Sequence, residues 1–138
     1  MSTLPQNSTL LMRKRRKGLK PYIKECDKLY SELIRSKGKC EWCGGNSLLQ
    51  CSHVIPRTNK ALRWDIFNGL ALCFFCHIHT WHKDPLKAID WFSKRYPERY
   101  NYLMENRNKL LKRLPEDYEK LIKNIKERNF RSLVTFPS

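Results

Sequence analysis

The chain has 138 residues, a length that suits one compact domain with a short extension. Lys and Arg total 28 against 13 Asp and Glu, and the resulting formal net charge of +15 favours polyanionic partners, nucleic acid foremost. An apolar fraction of 41% argues against a wholly disordered chain, and a mean hydropathy of −0.67 without any apolar run near twenty residues predicts no membrane partner.

Residues 1–19 are predicted to form a flexible arm. It contains no acidic residue, and its basic run follows a short apolar group, whereas a secretory signal places its charges first. We therefore expect an intracellular protein. The arm is either a disordered terminus without a role or a segment that binds phosphates. The second interpretation assigns nucleic-acid contacts to five adjacent residues: Arg13, Lys14, Arg15, Arg16 and Lys17.

Residues 20–138 are predicted to form a single domain that begins with an amphipathic helix. From Pro21 to Lys37 apolar residues recur every three or four positions, and Gly38 is a typical stop signal. Cys26 lies on the apolar stripe of this helix, so we interpret it as a small buried residue. Cys51 has no partner at metal-binding spacing, and we interpret it in the same way.

Four of the six cysteines form two Cys-x-x-Cys pairs, Cys40 with Cys43 and Cys73 with Cys76. Two intervening residues let both sulfurs reach one tetrahedral Zn²⁺ at about 2.3 Å. In a reducing compartment such pairs indicate metal binding rather than disulfides. The alternative is two unrelated pairs of buried cysteines. We predict a structural zinc in a core over residues 39–82.

Short strands are predicted between the two cysteine pairs. Residues 48–55 form a hairpin or strand, residues 70–72 form a second strand, and a short helix begins at Cys73. Four cysteine ligands leave no position on the zinc for an imidazole, so the histidines suggest a second site. All four lie within or just after this segment: His53, His77, His79 and His82.

Residues 84–130 are predicted to be helical. Asp84 followed by Pro85 is a typical helix start, because a capping side chain precedes a proline at the first helical position. Pro97 and Pro115 open two further helices, whose apolar stripes we interpret as core. The predicted class is α+β and helix-rich.

The features around the cysteine pairs occur in a specific order. A Cys-x-x-Cys pair is followed by a strand that carries His53 before an Ile-Pro turn, then Asn68, then a Leu-Cys-x-x-Cys-His run that ends at His77. In this order, residues 40–82 resemble the HNH endonucleases of the ββα-metal superfamily. Residues 62–65 also resemble phage recombination nucleases of the NinG/Rap kind. The resemblance implies a zinc-bound, treble-clef-like ββα core with flanking helices, in a bacterial or phage-infected cell.

The resemblance further implies a metal-dependent DNA endonuclease, a hydrolase that nicks or cuts phosphodiester bonds. His53 matches the general base that deprotonates the attacking water, a task suited to an imidazole whose pKa lies near working pH. Asn68 matches the residue whose amide braces the loop that aims this histidine. His77 matches the histidine that holds a catalytic cation, Mg²⁺ or Mn²⁺, against the scissile phosphate.

One position departs from the family's pattern. An Asp commonly precedes the general base and binds the cation, whereas this chain has Ser52, whose hydroxyl is a poorer ligand for Mg²⁺ than a carboxylate. Either Ser52 binds through a water, or His82, Asp84 or Asp65 contributes a ligand, or the cation site is impaired. Imidazole ligands would shift the preference toward Mn²⁺, Ni²⁺ or Zn²⁺.

We expect DNA to be bound mainly through its phosphates. Arg57, Lys60 and Arg63 lie near the active strand in sequence, and such contacts position DNA without reading its sequence. A single site nicks one strand, so double-strand cleavage requires either two copies, as in a homodimer, or two events. The alternative is a non-catalytic zinc-finger module that binds DNA or RNA, which would not need the matched histidines. An RNA- or ribosome-associated zinc protein has support from composition alone.

Overall fold

The computed structural model describes the backbone of residues 4–130 and the side chains of residues 18–128. It confirms the helix-rich α+β class. Within this part of the chain, no helix is both long enough and apolar enough to cross a membrane. The elements in chain order are helix α1 (Leu4–Arg35), strand β1 (Gln50–His53), a 3₁₀ turn (Ile66–Asn68), strand β2 (Gly69–Leu72), a π-helical turn (Cys76–Trp81), and helices α2 (Pro85–Arg95), α3 (Pro97–Asn106) and α4 (Pro115–Phe130).

Helix α1 begins well before the position that the sequence predicted. Its backbone is helical from Leu4, where the prediction placed a flexible arm over residues 1–19 and a helix start at Pro21. Pro21 lies inside the helix, where its missing N–H removes one intrahelical hydrogen bond without ending the helix. The preceding Leu, Lys and Arg residues favour helix, which explains the extension. The side chains of the predicted phosphate contacts at 13–17 lie outside the described residues.

The prolines and glycines set the other helix boundaries close to the predicted positions. Gly38 follows the end of α1 with φ +80°, a left-handed conformation that favours glycine. Asp84 caps α2, accepting a hydrogen bond from the Lys87 amide at 3.2 Å. Pro97 and Pro115 occupy the first positions of α3 and α4. Each predicted start in the C-terminal part is therefore confirmed.

Strands β1 and β2 pair in antiparallel fashion, with Gln50 opposite Leu72 and His53 opposite Gly69. Successive side chains of a strand point to opposite faces of the sheet, and residues opposite each other in the pair share a face. Ser52 therefore shares a face with Gln50, while His53 projects from the other face, toward α1. This alternation decides which elements meet each side chain of β1.

Two hydrophobic clusters lie on the two faces of this sheet. The core on the side of the cysteine pairs combines buried residues of the cysteine segment, β2, α2 and α3: Cys40, Val54, Leu62, Leu70, Leu72, Cys76, Trp81, Ala88, Phe92, Tyr96 and Leu103. The helix-side core combines α1, α4 and the opposite face of β2: Cys26, Leu29, Tyr30, Leu33, Ile34, Trp64, Ala71, Tyr118 and Ile125. The buried positions of Cys26 and the stripe of α4 are as predicted.

Helix α1 packs closely on β2 because Gly69 has no side chain. A Cβ atom at Gly69 would lie 2.5 Å from Cδ1 of Ile34 and 2.6 Å from the Tyr30 hydroxyl. The Tyr30 hydroxyl donates to the Asp65 carbonyl at 2.6 Å. This close approach brings the buried face of α1 to the loop that precedes β2.

A buried ionic network joins the two sides of the sheet. Arg99 of α3 is fully buried, and its guanidinium donates to the carbonyls of Phe67 and Gly69 and to Glu41. Glu41 also pairs with Lys37, just after α1, at 3.1 Å. A buried charge is tolerated where an opposite charge and hydrogen bonds satisfy it, and Arg99 has both.

Candidate functional site: a cysteine metal centre beside a histidine cleft

The four paired cysteines meet in one cluster. Their sulfur atoms all lie within 4.8 Å of one another, and the sulfurs of Cys43 and Cys73 are 3.7 Å apart. A tetrahedral Zn²⁺ with sulfurs at about 2.3 Å requires sulfur–sulfur separations of about 3.8 Å, so the cluster fits this ion. Cys40 and Cys76 are buried, while Cys43 is exposed. The predicted four-cysteine metal site is therefore present, and its geometry is consistent with structural zinc.

Backbone amides in and next to the two Cys-x-x-Cys pairs donate hydrogen bonds to the cysteine sulfurs. The amide of Cys43 donates to the Cys40 sulfur at 3.5 Å, the amide of Cys76 donates to the Cys73 sulfur at 3.5 Å, and the amide of Gly45 donates to the Cys43 sulfur at 3.4 Å. Burial opposes ionisation of Cys40, but hydrogen bonds from neighbouring backbone lower the pKa of its thiol to about 7. Such bonds favour the thiolate, the form that binds a metal.

A cleft of about 600 Å³ lies between α1, β1, the π-helical turn and the start of α2. Three of the four histidines line it, namely His53, His77 and His82, together with Ser52. The fourth, His79, is exposed and stacks on the ring of Phe75, with ring centroids 5.1 Å apart. The structure thus brings three of the four histidines to one cleft, whereas His79, which was expected to belong to the same second site, lies outside it.

His53 is held by a backbone carbonyl and an aromatic ring. Its Nε2 lies 2.8 Å from the Arg63 carbonyl oxygen, which can only accept, so Nε2 carries the hydrogen in the neutral ring. Nδ1 is then the basic nitrogen. The ring stacks on Tyr30 at a centroid distance of 5.4 Å. Burial lowers the pKa of His53, against the opposing effect of the Arg63 hydrogen bond, so the imidazole is neutral at physiological pH.

Asn68 ties together the loop that carries the acceptor of His53. Its side-chain oxygen accepts from the Ile55 amide at 2.7 Å, and its side-chain nitrogen donates to the carbonyls of Ile55 and Leu62 at 2.9 and 3.0 Å. The amide is completely buried, so these three bonds form without competition from water. Asn68 therefore connects the start of the loop that follows β1, at Ile55, with a later part of the same loop, at Leu62.

His77 and His82 face each other across the π-helical turn. The His82 amide donates to the His77 carbonyl at 3.0 Å, the five-residue spacing of a π-helix, which aligns the two side chains. Their Nε2 atoms are 2.9 Å apart. Nδ1 of His77 lies 2.6 Å from the side-chain oxygen of Gln50, so it carries the hydrogen and leaves Nε2 with its lone pair. Burial, His82 and His53 all lower the pKa of His77, which favours its neutral, metal-binding form.

Ser52 adds an unsatisfied polar atom to the same cleft. Its hydroxyl is buried, with the residue only 2% exposed, and it has no hydrogen-bond partner among the described residues. Buried hydroxyls normally bond to protein or to ordered water, so this atom is available to a water or a ligand. Besides His53, the cleft is thus lined by two imidazoles and one hydroxyl, and imidazole nitrogens bind Mn²⁺, Ni²⁺ or Zn²⁺ better than Mg²⁺.

The other two candidate ligands serve as helix caps. Asp65 accepts from the Phe67 amide at 2.9 Å and from the Tyr102 hydroxyl. Asp84 caps α2 as described above, and neither carboxylate lines the histidine cleft. Of the alternatives to an Asp ligand, His82 contacts His77, and Ser52 lines the same cleft.

The three basic residues expected to contact phosphate have different surroundings. Arg57 is exposed at the edge of the cleft, and Lys60 is exposed outside it. Arg63 is already paired, because its Nε and Nη2 bind both carboxylate oxygens of Asp27, at 3.1 and 2.7 Å. Trp64 is buried and donates to the same carboxylate at 2.9 Å.

Three residues that contact the site were not predicted from the sequence: Gln50, Asp27 and Tyr30. Gln50 had a usable signal, because it lies two positions before Ser52 and so shares its face of the strand. Asp27 and Tyr30 lie on the predicted amphipathic helix, but nothing local indicates that this helix packs against His53. Their involvement depends on the close approach of α1 to β2.

Comparison of the chain with protein-family models, with curated proteins and with solved structures gave no match. Function is therefore inferred from the cysteine centre and the cleft themselves.

Proposed function

We propose that the protein is a metal-dependent DNA endonuclease of the HNH type. The observation that supports it most is the cleft itself, in which a neutral His53 with one fixed tautomer lies together with the paired nitrogens of His77 and His82. The pairing of β1 with β2 and the turn that follows form a strand–strand–helix unit around these side chains. This order of elements is the one that the motif resemblance implies.

His53 is the proposed general base. Its Nε2–H stays bonded to the Arg63 carbonyl, so Nδ1 accepts a proton from a water that attacks the phosphorus atom. The same carbonyl stabilises the imidazolium that forms, because an N–H of a charged ring is a stronger donor than that of a neutral one. Asn68 holds the loop and thereby maintains the position of this carbonyl.

His77 and His82 are the residues that would hold the catalytic cation, with Ser52 contributing directly or through a water. A divalent cation at this position supplies charge stabilisation to the scissile phosphate and the leaving oxygen. Gln50 fixes the His77 ring so that Nε2 faces His82. The two imidazoles are near enough for one ion to be bound by both, since their Nε2 atoms are 2.9 Å apart.

DNA is the proposed substrate because its phosphates match both the cleft and the charge of the chain. Arg57 stands at the cleft edge, where it can contact a phosphate next to the scissile one. The net charge of +15 adds a sequence-independent attraction that weakens with salt. One such cleft cuts one strand, so a double-strand break requires a second copy or a second event.

The test is nicking of supercoiled plasmid DNA with Mg²⁺ or Mn²⁺, comparing the unchanged protein with His53→Ala. Loss of a general base typically lowers the rate about 10²- to 10⁴-fold, and we expect a loss in that range. His79→Ala is the matched control, because it removes an imidazole outside the cleft, and it should nick like the unchanged protein. Equal nicking by the unchanged protein and His53→Ala would refute the proposal.

A zinc module that binds DNA or RNA without cutting it is the second candidate. The observation that favours it is Ser52, which stands where a carboxylate would be the stronger cation ligand. A gel shift and a cleavage assay on one preparation distinguish the two functions. Retardation of DNA without cleavage in Mg²⁺, Mn²⁺, Ni²⁺ or Zn²⁺ would establish the module and exclude the nuclease.

A further inference from the structure

Helix α1 lies outside the segment that carries the nuclease resemblance, yet its residues line the cleft beside His53. We infer that Asp27 of α1 is a positioning residue for His53, because it holds the residue whose carbonyl selects the Nε2–H tautomer of the imidazole. The inference rests on the proposed role of His53 as general base. It makes α1 part of the catalytic machinery rather than only a packing element.

Asp27 accepts hydrogen bonds from the side chains of two consecutive loop residues, Arg63 and Trp64. Its carboxylate accepts from Nε and Nη2 of Arg63 at 3.1 and 2.7 Å and from Nε1 of Trp64 at 2.9 Å. A two-bond contact between a guanidinium and a carboxylate restricts both groups in distance and orientation. The side chains of Arg63 and Asp27 are 19% and 32% exposed, so the pair is partly protected from competing water. The side chains of residues 63 and 64 are therefore anchored to α1.

The carbonyl of Arg63 lies between two further anchors. On one side the Leu62 carbonyl accepts from Asn68 at 3.0 Å. On the other side the Asp65 carbonyl accepts from Tyr30 at 2.6 Å. Between these points the backbone turns, and the hydrogen bonds of Asp27 hold the two residues in the middle of the turn, Arg63 and Trp64. The Arg63 oxygen that results lies 2.8 Å from Nε2 of His53.

The orientation of this carbonyl matters because a neutral imidazole has two tautomers. An acceptor at Nε2 favours the tautomer whose lone pair is on Nδ1, the nitrogen that must take the proton from water. If the turn relaxes, the ring loses its acceptor, the tautomers mix, and the Tyr30 stack alone does not select between them. The fraction of His53 that is ready to act as a base would then fall.

The experiment compares Asp27→Asn with Asp90→Asn in the zinc-loaded full chain. Asparagine keeps the size of the side chain and an acceptor for Trp64, but it loses the charge and the two-bond contact (the fork) between the carboxylate and the Arg63 guanidinium. Asp90 makes a solvent-exposed pair with Lys94, so the same chemical change there serves as the control. The first readout is the ¹⁵N chemical shift of the His53 ring nitrogens, assigned by comparison with His53→Ala. This readout requires no nuclease activity, so it tests the inference even if the proposed function fails.

We expect a predominantly Nε2–H ring in the unchanged protein and in Asp90→Asn, and averaged nitrogen shifts in Asp27→Asn. If the protein nicks DNA, kcat of Asp27→Asn should fall about 10- to 100-fold with KM nearly unchanged, the size of loss that follows removal of a group that orients a metal-binding histidine. An unchanged tautomer, or an unchanged kcat in an active protein, would overturn the inference.

Two further variants separate positioning from simple loss of packing. Trp64→Phe removes one bond to Asp27 but keeps the fork to Arg63, so the His53 tautomer should be retained. Arg63→Lys keeps the charge but not the fork, and it should produce the same averaged shifts as Asp27→Asn. It also replaces Asp27→Asn if that variant does not fold. Equal effects of Trp64→Phe and Arg63→Lys on the tautomer would show a merely structural role.

Discussion

The cysteine centre and the histidine cleft lie next to each other but are held together in different ways. In the centre, the four sulfurs of the two Cys-x-x-Cys pairs lie close together, and one ion can bind them all. In the cleft, each imidazole is oriented by a separate neighbour, the Arg63 carbonyl for His53 and the Gln50 side chain for His77. A few strong bonds to one ion would maintain the centre, whereas many weak contacts maintain the cleft. Changes to the centre should therefore affect folding, and changes to the cleft should affect chemistry.

Removing the metal from the cysteine centre is expected to have the largest effect. Binding of a structural zinc contributes about 10–16 kcal/mol, more than a short two-stranded unit gains by packing. We predict that Cys40→Ser, or treatment with a strong chelator, unfolds residues 39–82. Zinc content and heteronuclear NMR measure this, with Cys51→Ala as the control that retains zinc. A soluble, zinc-loaded and active Cys40→Ser protein would contradict the prediction.

The buried ionic network that joins the two sides of the sheet should have the next largest effect. Arg99→Ala removes the buried guanidinium, which takes one ionic partner from Glu41 and hydrogen bonds from the carbonyls of Phe67 and Gly69, while Lys37 still binds Glu41 and the Gly69 carbonyl. Breaking a buried ion pair in this way typically lowers the free energy of unfolding by about 3–5 kcal/mol. Urea unfolding measures the change. Lys94→Ala, which breaks an exposed pair, should cost less than about 1 kcal/mol, and equal losses would show that the network does not stabilise the fold.

Asn68→Ala should affect both folding and chemistry. It removes three hydrogen bonds, two of them to the part-buried amide and carbonyl of Ile55, at a cost of about 1–3 kcal/mol for each group left unsatisfied, while the Leu62 carbonyl keeps its bond from the Asp65 amide. The loosened loop should also lower kcat for nicking. Asn101→Ala on the exposed face of α3 is the control. A variant with full stability and full activity would contradict the bracing role.

His82→Ala should have the smallest effect on folding. His82 is exposed, so the free energy of unfolding should change by no more than about 0.5 kcal/mol. Loss of an orienting neighbour already weakens metal sites about 10- to 100-fold, so loss of a direct ligand should weaken Mn²⁺ binding at least as much. Calorimetric titration of the zinc-loaded protein measures it, against His79→Ala. Unchanged Mn²⁺ affinity would exclude His82 as a ligand.

The helix boundaries show which local signals carried information. Proline fixes φ and lacks an N–H, so Pro85, Pro97 and Pro115 marked three helix starts that the structure confirms. The same residue misled at Pro21, because a long helix tolerates the loss of one hydrogen bond. A proline restricts the chain locally, but whether a helix continues through it depends on the residues on both sides.

The same distinction applies to the candidate site, where local signals identified residues but not the distant partners that they contact. Arg63 was expected to contact phosphate because it is basic and lies near the active strand in sequence, but it pairs with Asp27, 36 positions earlier in the chain. Gln50 reaches His77 over 27 positions. Charge and local pattern do not specify such partners, because they form only when the sheet and α1 are packed together.

The sequence by itself determined the four metal-binding cysteines and the residues of greatest chemical interest, because Cys-x-x-Cys spacing and motif order are properties of neighbouring positions. Only the tertiary structure decided that His77 and His82 face each other, that His79 does not join them, and that α1 holds the loop beside His53. These arrangements depend on a π-helical turn and on the close packing of α1 at Gly69. Both result from contacts between distant segments, and the free energy of such contacts depends on the whole fold.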